Sequence, residues 1–342
     1  MKKFLIIRFS SIGDIVLTTP VVRCLKKQVP GAVIHYLTKK SFAGIIENNP
    51  YIDKTHYLDD DLSKTIGELK DEKFDQVVDL HHNIRSLKVK RALKLPSHAF
   101  HKLNIEKWLL TTFKINIIPD KHIVDRYMET VESLEVTNDE QGLDYFIPDY
   151  DRVKESDIPA GHLAGYIGIV IGATYNTKKL PIEKLRELCA GIDHPIILMG
   201  GKEDREYGEE VSSVDRHKIY NACGKFLLNE SADLVRRSKF IISHDTGLMH
   251  IATALKKQVI SVWGNTVPDF GMYPYYGDQF LQSFAARSAG KLPYDIVEIS
   301  NLSCRPCSKI GYAKCPLGHF KCMNKIEIDE VIDLVNQRLA IH

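Results

Sequence analysis

The chain alternates short β-branched apolar runs with longer stretches in which apolar residues recur every three or four positions. Lys3 to Phe9 predicts a buried strand, Ile15 to Gln28 a helix carrying Val16, Val21, Val22 and Leu25, and Ala32 to Leu37 a second strand. The alternation continues with a helix over Asp61 to Glu72, a strand over Phe74 to Leu80, and helices over Ser86 to Leu95, Ile105 to Phe113 and Ile123 to Leu134. Such alternation predicts a parallel sheet wrapped by helices. Between Phe146 and Pro159 the segment IPDYDRVKESDIP holds two prolines and a run of acids without apolar period, the look of an exposed linker. The pattern then restarts, with strands at Tyr166 to Ile171, Pro195 to Met199, Ile219 to Ala222, Phe240 to Ser243 and Val259 to Trp263. Helices are expected between them at Pro181 to Ile192, Glu203 to Ser213, Ser231 to Arg237 and Leu248 to Leu255. The expected organisation is two Rossmann-like α/β domains, 1–150 and 160–342.

Length agrees, because 342 residues at roughly 150 per domain make about two domains. With 46 Lys+Arg against 44 Asp+Glu the net charge is +2, which gives no bulk attraction for nucleic acid. The 44% hydrophobic and 26% charged content excludes disorder and collagen. No apolar run reaches the roughly 18 residues of a membrane span, and the apolar start Phe4 to Ile7 is cut by Arg8 and Asp14 before it could form a signal peptide. Seven cysteines are an odd number, and Cys24, Cys189 and Cys223 are scattered singly, so a cytoplasmic, reducing location is expected.

Three loops carry candidate chemistry. RFSSIGDIVLTTP follows a strand and opens a helix, which places backbone N–H groups and Asp14 at the carboxyl edge of a sheet, where open α/β sheets bind ligands. Asp14 reads equally well as a helix-capping carboxylate. With one glycine, Gly13, where a dinucleotide fingerprint has three, the loop gives little support for NAD. In FIISHDTGLMHIATAL a strand runs into Asp245, Thr246 and Gly247, and the small Thr-Gly step lets a phosphate approach a helix end followed by Leu248 and His250. In GATYNTKKLPIEKL, Thr174 and Lys178 sit between a strand and a helix begun by Pro181; the lysine offers a phosphate a point charge, or belongs with Lys179 and Lys184 to a solvated basic surface. Glu203, in MGGKEDREY, could accept from ribose hydroxyls.

These motifs in this order, with VWGNT after DTGLMHIATAL, resemble the heptosyltransferases of glycosyltransferase family 9 from the N-terminus to the last helix. The resemblance implies a B-type glycosyltransferase fold whose two domains face a cleft, acceptor on the first and nucleotide-sugar on the second. It implies Asp14 as general base, Thr174 and Lys178 on the donor phosphates, Glu203 toward the nucleoside, Asp245 on the donor sugar, and Thr246, Gly247, Leu248 and His250 around the pyrophosphate. The expected activity is inverting transfer of heptose from ADP-heptose to a lipopolysaccharide-core or related lipid-linked saccharide, with no cofactor required. Competing readings are a nucleotide-sugar epimerase of the same architecture and a nucleotide-sugar-binding protein without turnover.

From Leu80 to Ile105 there is no Asp or Glu, while Arg85 and Lys88 head a basic run; this suits an anionic saccharide-lipid acceptor and peripheral contact with the inner face of the cytoplasmic membrane, or is a solvated helix face. Cys304, Cys307, Cys315 and Cys322 form C-x2-C-x7-C-x6-C. Four soft ligands in about twenty residues can close a structural zinc site. Free or disulfide-linked thiols are the alternative, and the cluster is expected to stand apart from catalysis.

Overall fold

The structure is a computed structural model that describes residues 2–340. The chain separates into two compact units, Met1–Lys102 with Lys121–Phe146, and Leu103–Asp120 with Ile147–His342. The stretch 103–120, which lies in the first half by sequence, packs with the second unit.

The first unit is built on strands β1 (Lys2–Ile7), β2 (Ala32–Thr38), β3 (Lys54–Tyr57), β4 (Gln76–Asp79) and β5 (Ser97–Ala99), ordered β3-β2-β1-β4-β5. The second has β6 (Ile167–Val170), β7 (Ile196–Met199), β8 (Ile219–Asn221), β9 (Ile241–His244), β10 (Val259–Trp263) and β11 (Tyr294–Glu298), ordered β11-β10-β9-β6-β7-β8. Every pairing is parallel. Central strands buried on both faces read as unbroken apolar runs, as in IGIV and IILM. One face of the second sheet packs Ile167, Ile169 and Leu198 against Leu185, Leu188 and Val331; the other packs Val170, Ile197 and Ile241 against Leu234, Met249 and Ala252. In each sheet the strand order reverses once, between β1 and β4 and between β6 and β9. Loops diverge at such a reversal, so a crevice opens at the carboxyl ends of those strands.

The helix expected over Ile15 to Gln28 is two helices, Ile12–Val16 and Thr19–Gln28. Pro20, in the first turn of the second, has no N–H to continue the first. The Thr18 and Thr19 hydroxyls donate instead to the carbonyls of Ile15 and Val16, each at 2.7 Å. A short helix therefore ends two residues beyond Asp14, at the reversal of the first sheet.

Candidate active site

At the end of β1, Arg8 turns inward with its side chain only 9% exposed. Its Nη1 donates to the Leu80 carbonyl at 2.6 Å and the Tyr127 hydroxyl at 3.0 Å, and its Nε to the Ser10 carbonyl at 2.7 Å. The remaining Nη2 meets Asp14 Oδ1 at 2.7 Å. Asp14 Oδ2 accepts from Ser11 Oγ at 2.8 Å and from the Ser11 N–H at 3.2 Å. Ser11 is thus the residue at the helix N-cap, and Asp14, third in the helix, reaches back to it. The capping role expected of Asp14 exists in this reciprocal form. Burial pushes the Asp14 carboxyl up, but Arg8 and Ser11 outweigh it and hold the carboxyl below its ordinary value. Asp14 is therefore ionised at neutral pH and able to take a proton, while its side chain keeps 23% exposure.

Beside it, on β4, the fully buried Asp79 organises the next loop. It accepts from the N–H groups of His81 and His82 at 3.1 and 2.7 Å, from Ser86 Oγ at 2.8 Å, and pairs with Lys90 at 3.0 Å. This starts the helix Ile84–Leu93, which presents Arg85 and Lys88 to solvent without an ion pair among the described residues, while Lys90 of the same basic run points inward.

At the reversal of the second sheet, the loop after β6 meets the loop after β9. Lys178 Nζ lies 2.5 Å from Asp245 Oδ2, an ion pair with both side chains largely buried. Thr266 Oγ1 donates to the same oxygen at 2.9 Å. The neighbouring Lys179 pairs with the buried Asp204 at 2.6 Å, and Asp204 Oδ2 accepts from the Gly201 N–H at 3.0 Å. Both lysines are engaged inward, so they are not a solvated surface. Gly172 is required here, since a Cβ would stand 2.3 Å from Asp204 Oδ2. The buried His244 accepts from the Leu180 N–H through Nε2 at 2.9 Å; burial, helped by Lys179, lowers its pKa to about 3, so it stays neutral as an acceptor must. Thr246 is the N-cap of the helix Gly247–Ala254 yet makes no side-chain cap bond, its hydroxyl lying 3.2 Å from Ser243 Oγ. A helix end without a side-chain cap favours an anion. Leu248 is half-buried and His250 buried in the same helix, whereas Thr174 and Glu203 are exposed on the flanking loops.

Sequence reasoning missed Arg8, Asp204 and Thr266. Arg8 carried a signal, a charge placed directly after an apolar strand, but its Leu80 and Tyr127 partners lie far along the chain.

The four clustered cysteines are free thiols. They lie within electrostatic reach of one another: burial first, then the neighbouring thiols, raises Cys307, and the same causes push Cys322 to about 11. Among the described residues, the trio of metal-ligand side chains converging within 4.8 Å is instead His35, His56 and Glu72 in the first unit. His35 Nδ1 and His56 Nε2 are 2.9 Å apart with ring centroids at 5.1 Å, an in-line hydrogen bond, and Glu72 is bonded by Lys3 and Lys54. Burial and His56 lower His35 to about 4. A histidine lowered in the folded state contributes stability above its unfolded value near 6.5 that is lost as pH falls toward 4. The melting temperature is accordingly expected to drop between pH 7 and pH 5, and to drop less in His35→Gln; identical pH profiles of the two proteins would remove this pair as the cause.

The sequence model of glycosyltransferase family 9 (heptosyltransferase) matches residues 63–289. The chain belongs to glycosyltransferase family 9. This transferase is 28% identical over 290 residues to lipopolysaccharide heptosyltransferase 1 of Campylobacter coli, covering 77% of the chain and 84% of that protein. Its fold is that of the ADP-heptose lipopolysaccharide heptosyltransferase II of E. coli, with a TM-score of 0.74 at 18% identity over 99% of both chains. The family 9 glycosyltransferase of Veillonella parvula superposes with a TM-score of 0.75 at 22% identity, covering 100% of this chain and 98% of that one. The α/β architecture with two parallel sheets is thus the B-type glycosyltransferase fold. Lys178, Asp245 and Thr266 of the transferase fall inside the matched residues, while Asp14 and the cysteine-rich segment fall outside them. None of its helices is long and apolar enough to cross a membrane among the described residues.

Proposed function

We propose that this family 9 transferase moves heptose from ADP-heptose to a lipopolysaccharide-core or related lipid-linked saccharide, with inversion at the anomeric carbon. The observation that carries the donor side is the Lys178–Asp245–Thr266 cluster beside the uncapped start of the helix Gly247–Ala254, at the reversal of a parallel sheet. The departing nucleoside diphosphate gains negative charge; Lys178 and the helix end stabilise that charge more as it develops than before. Asp245 Oδ2 is held by Lys178 and Thr266, leaving Oδ1 to accept from a sugar hydroxyl. Thr174, exposed on the loop after β6, and Glu203, exposed on the loop after β7, are assigned to phosphate and nucleoside. On the first unit, Asp14 takes the proton of the acceptor hydroxyl as that oxygen attacks. Likeness to proteins named for ADP-heptose and lipopolysaccharide favours this donor and acceptor over others.

A donor screen by thermal shift tests the donor. ADP-heptose at a hundred times its Kd is expected to stabilise the protein by about 2.7 kcal/mol, with ADP close behind and UDP-sugars without effect. A preference for a uridine donor would contradict it. For the acceptor, Arg85 and Lys88 stand beside the exposed Ile84 and Leu87, an arrangement suited to an anionic saccharide-lipid at a membrane surface. Arg85→Ala is expected to raise the acceptor KM and leave donor affinity unchanged; equal weakening of donor binding would sink the assignment. The C-x2-C-x7-C-x6-C spacing of Cys304, Cys307, Cys315 and Cys322 is assigned to a structural zinc site that metal would draw together, so protein purified without chelator should carry about one zinc per chain. Metal-free protein of full stability would end that assignment.

A further inference from the structure

The cysteine-rich segment does not stand apart from the donor loops. Arg305, between the first two cysteines, is buried, and its guanidinium spreads over the loop after β10: Nε donates to the Gly264 carbonyl at 2.6 Å and Nη2 to the Thr266 carbonyl at 2.8 Å. Nη1 donates to the Ile299 carbonyl at 3.1 Å, and Nη2 also meets Glu298 at 2.6 Å. Thr266 is the residue whose hydroxyl holds Asp245. Farther along the segment, Tyr312 grips the loop after β6 by its backbone. Its N–H donates to Thr177 Oγ1 at 2.8 Å, its carbonyl accepts from the Thr177 N–H at 3.2 Å, and the Thr177 hydroxyl donates to that carbonyl at 3.1 Å. Thr177 is buried and directly precedes Lys178. The two gripped loops are tied to each other as well, the Asn265 N–H donating to the Thr177 carbonyl at 3.3 Å. Their approach demands glycine at 264, where a Cβ would lie 2.5 Å from that carbonyl, and Met323, next to Cys322, packs over the same glycine. On the opposite flank, Lys114 Nζ donates to the carbonyls of Cys304 and Pro306 at 3.3 and 2.7 Å.

The geometry points to the cysteine-rich segment as a brace for the donor site, with Arg305 and Thr177 as positioning residues that set Lys178 and Asp245 without touching the donor. The inference rests on the donor reading of those two residues given above. Physically, a lysine and a carboxylate on separate loops stabilise a developing phosphate charge only if their spacing is fixed before the reaction. The brace fixes it from both sides, since Arg305 holds the loop carrying Thr266 and Tyr312 holds the loop carrying Lys178. It also accounts for the cysteines lying here. Cys304 and Cys307 flank the braced Arg305, and Cys322 adjoins Met323, so closing the thiols together would stiffen the residues that grip the loops.

The test uses the full-length protein, with ADP as probe in calorimetry well below the melting temperature. Thr177→Val keeps the side-chain shape and removes the hydroxyl, and should weaken ADP binding about tenfold, the scale of one or two buried hydrogen bonds; Thr177→Ser should restore it. Arg305→Lys keeps the charge but not the fork, and should weaken ADP similarly and raise the donor KM with the acceptor KM unchanged. Lys178→Met serves as the control. If that control weakens ADP while Thr177→Val and Arg305→Lys, folded by circular dichroism, bind it normally, the brace is overturned even if both melt earlier. If all three bind ADP normally, the donor reading itself has failed.

Discussion

Asp14→Asn is expected to lower turnover by about 10² to 10⁴, the usual contribution of general-base catalysis, while leaving ADP affinity within a few-fold. Asparagine still offers an oxygen to the Ser11 N–H, so the start of the helix survives. What it cannot do is accept a proton or balance Arg8, whose buried guanidinium faces Asp14 Oδ1 at 2.7 Å. A stability loss of about 1–3 kcal/mol should accompany the change, the scale of a charged hydrogen bond. A second variant separates the two roles. Arg8→Met removes the partner that holds the Asp14 carboxyl low, so burial should push that carboxyl up and move the acid limb of the pH–rate profile to higher pH. An Asp14→Asn protein with near-normal turnover would place the base elsewhere. One that loses stability and ADP binding together would make Asp14 structural.

Lys178→Met should reduce kcat/KM for the donor by about 10² to 10³, the scale for losing one preorganised electrostatic contact to the charge that develops in the transition state. Its effect on kcat should exceed its effect on ADP-heptose affinity, because the lysine acts most on charge that appears as the bond breaks and that ADP, but not ADP-heptose, already carries. The variant also frees Asp245, which retains Thr266 as a donor but loses its cation. Asp245→Asn should therefore share part of the defect, and the double variant should fall short of the sum of the two single losses. Additive losses measured in a double-mutant cycle would show that the two residues work independently.

Much of the fold was legible because central parallel strands and amphipathic helices leave strong patterns. The elements that escaped are those whose surroundings blur the pattern. β3 (KTHY) and β5 (SHA) are short polar edge strands of the first sheet, and β11 (YDIVE) is a partly exposed edge of the second. KTHY and SHA carry no apolar alternation to distinguish them from loops, whereas YDIVE holds the strand formers Tyr, Ile and Val and was readable but passed over. The break at Pro20 was written in the sequence but lost to an apolar period that runs through it. At the site, loop position was readable while pairing was not. Lys178 and Asp245 are 67 residues apart, and Arg8 reaches the Leu80 carbonyl across 72. The contacts of the cysteine segment with the loops after β6 and β10 escaped for the same reason. Its spacing pointed to a self-contained cluster, whereas the contacts of Arg305 and Tyr312 reach loops more than thirty residues away.

The central claim is heptosyl transfer, and mass spectrometry of an acceptor incubated with ADP-heptose and the purified protein tests it most directly. The predicted result is a lipopolysaccharide-core acceptor heavier by one heptosyl unit, with one ADP released for each transfer and both products formed about 10² to 10⁴ times more slowly by Asp14→Asn. Binding of ADP-heptose followed by interconversion of the sugar, or by no reaction at all, with the acceptor unchanged, would contradict it.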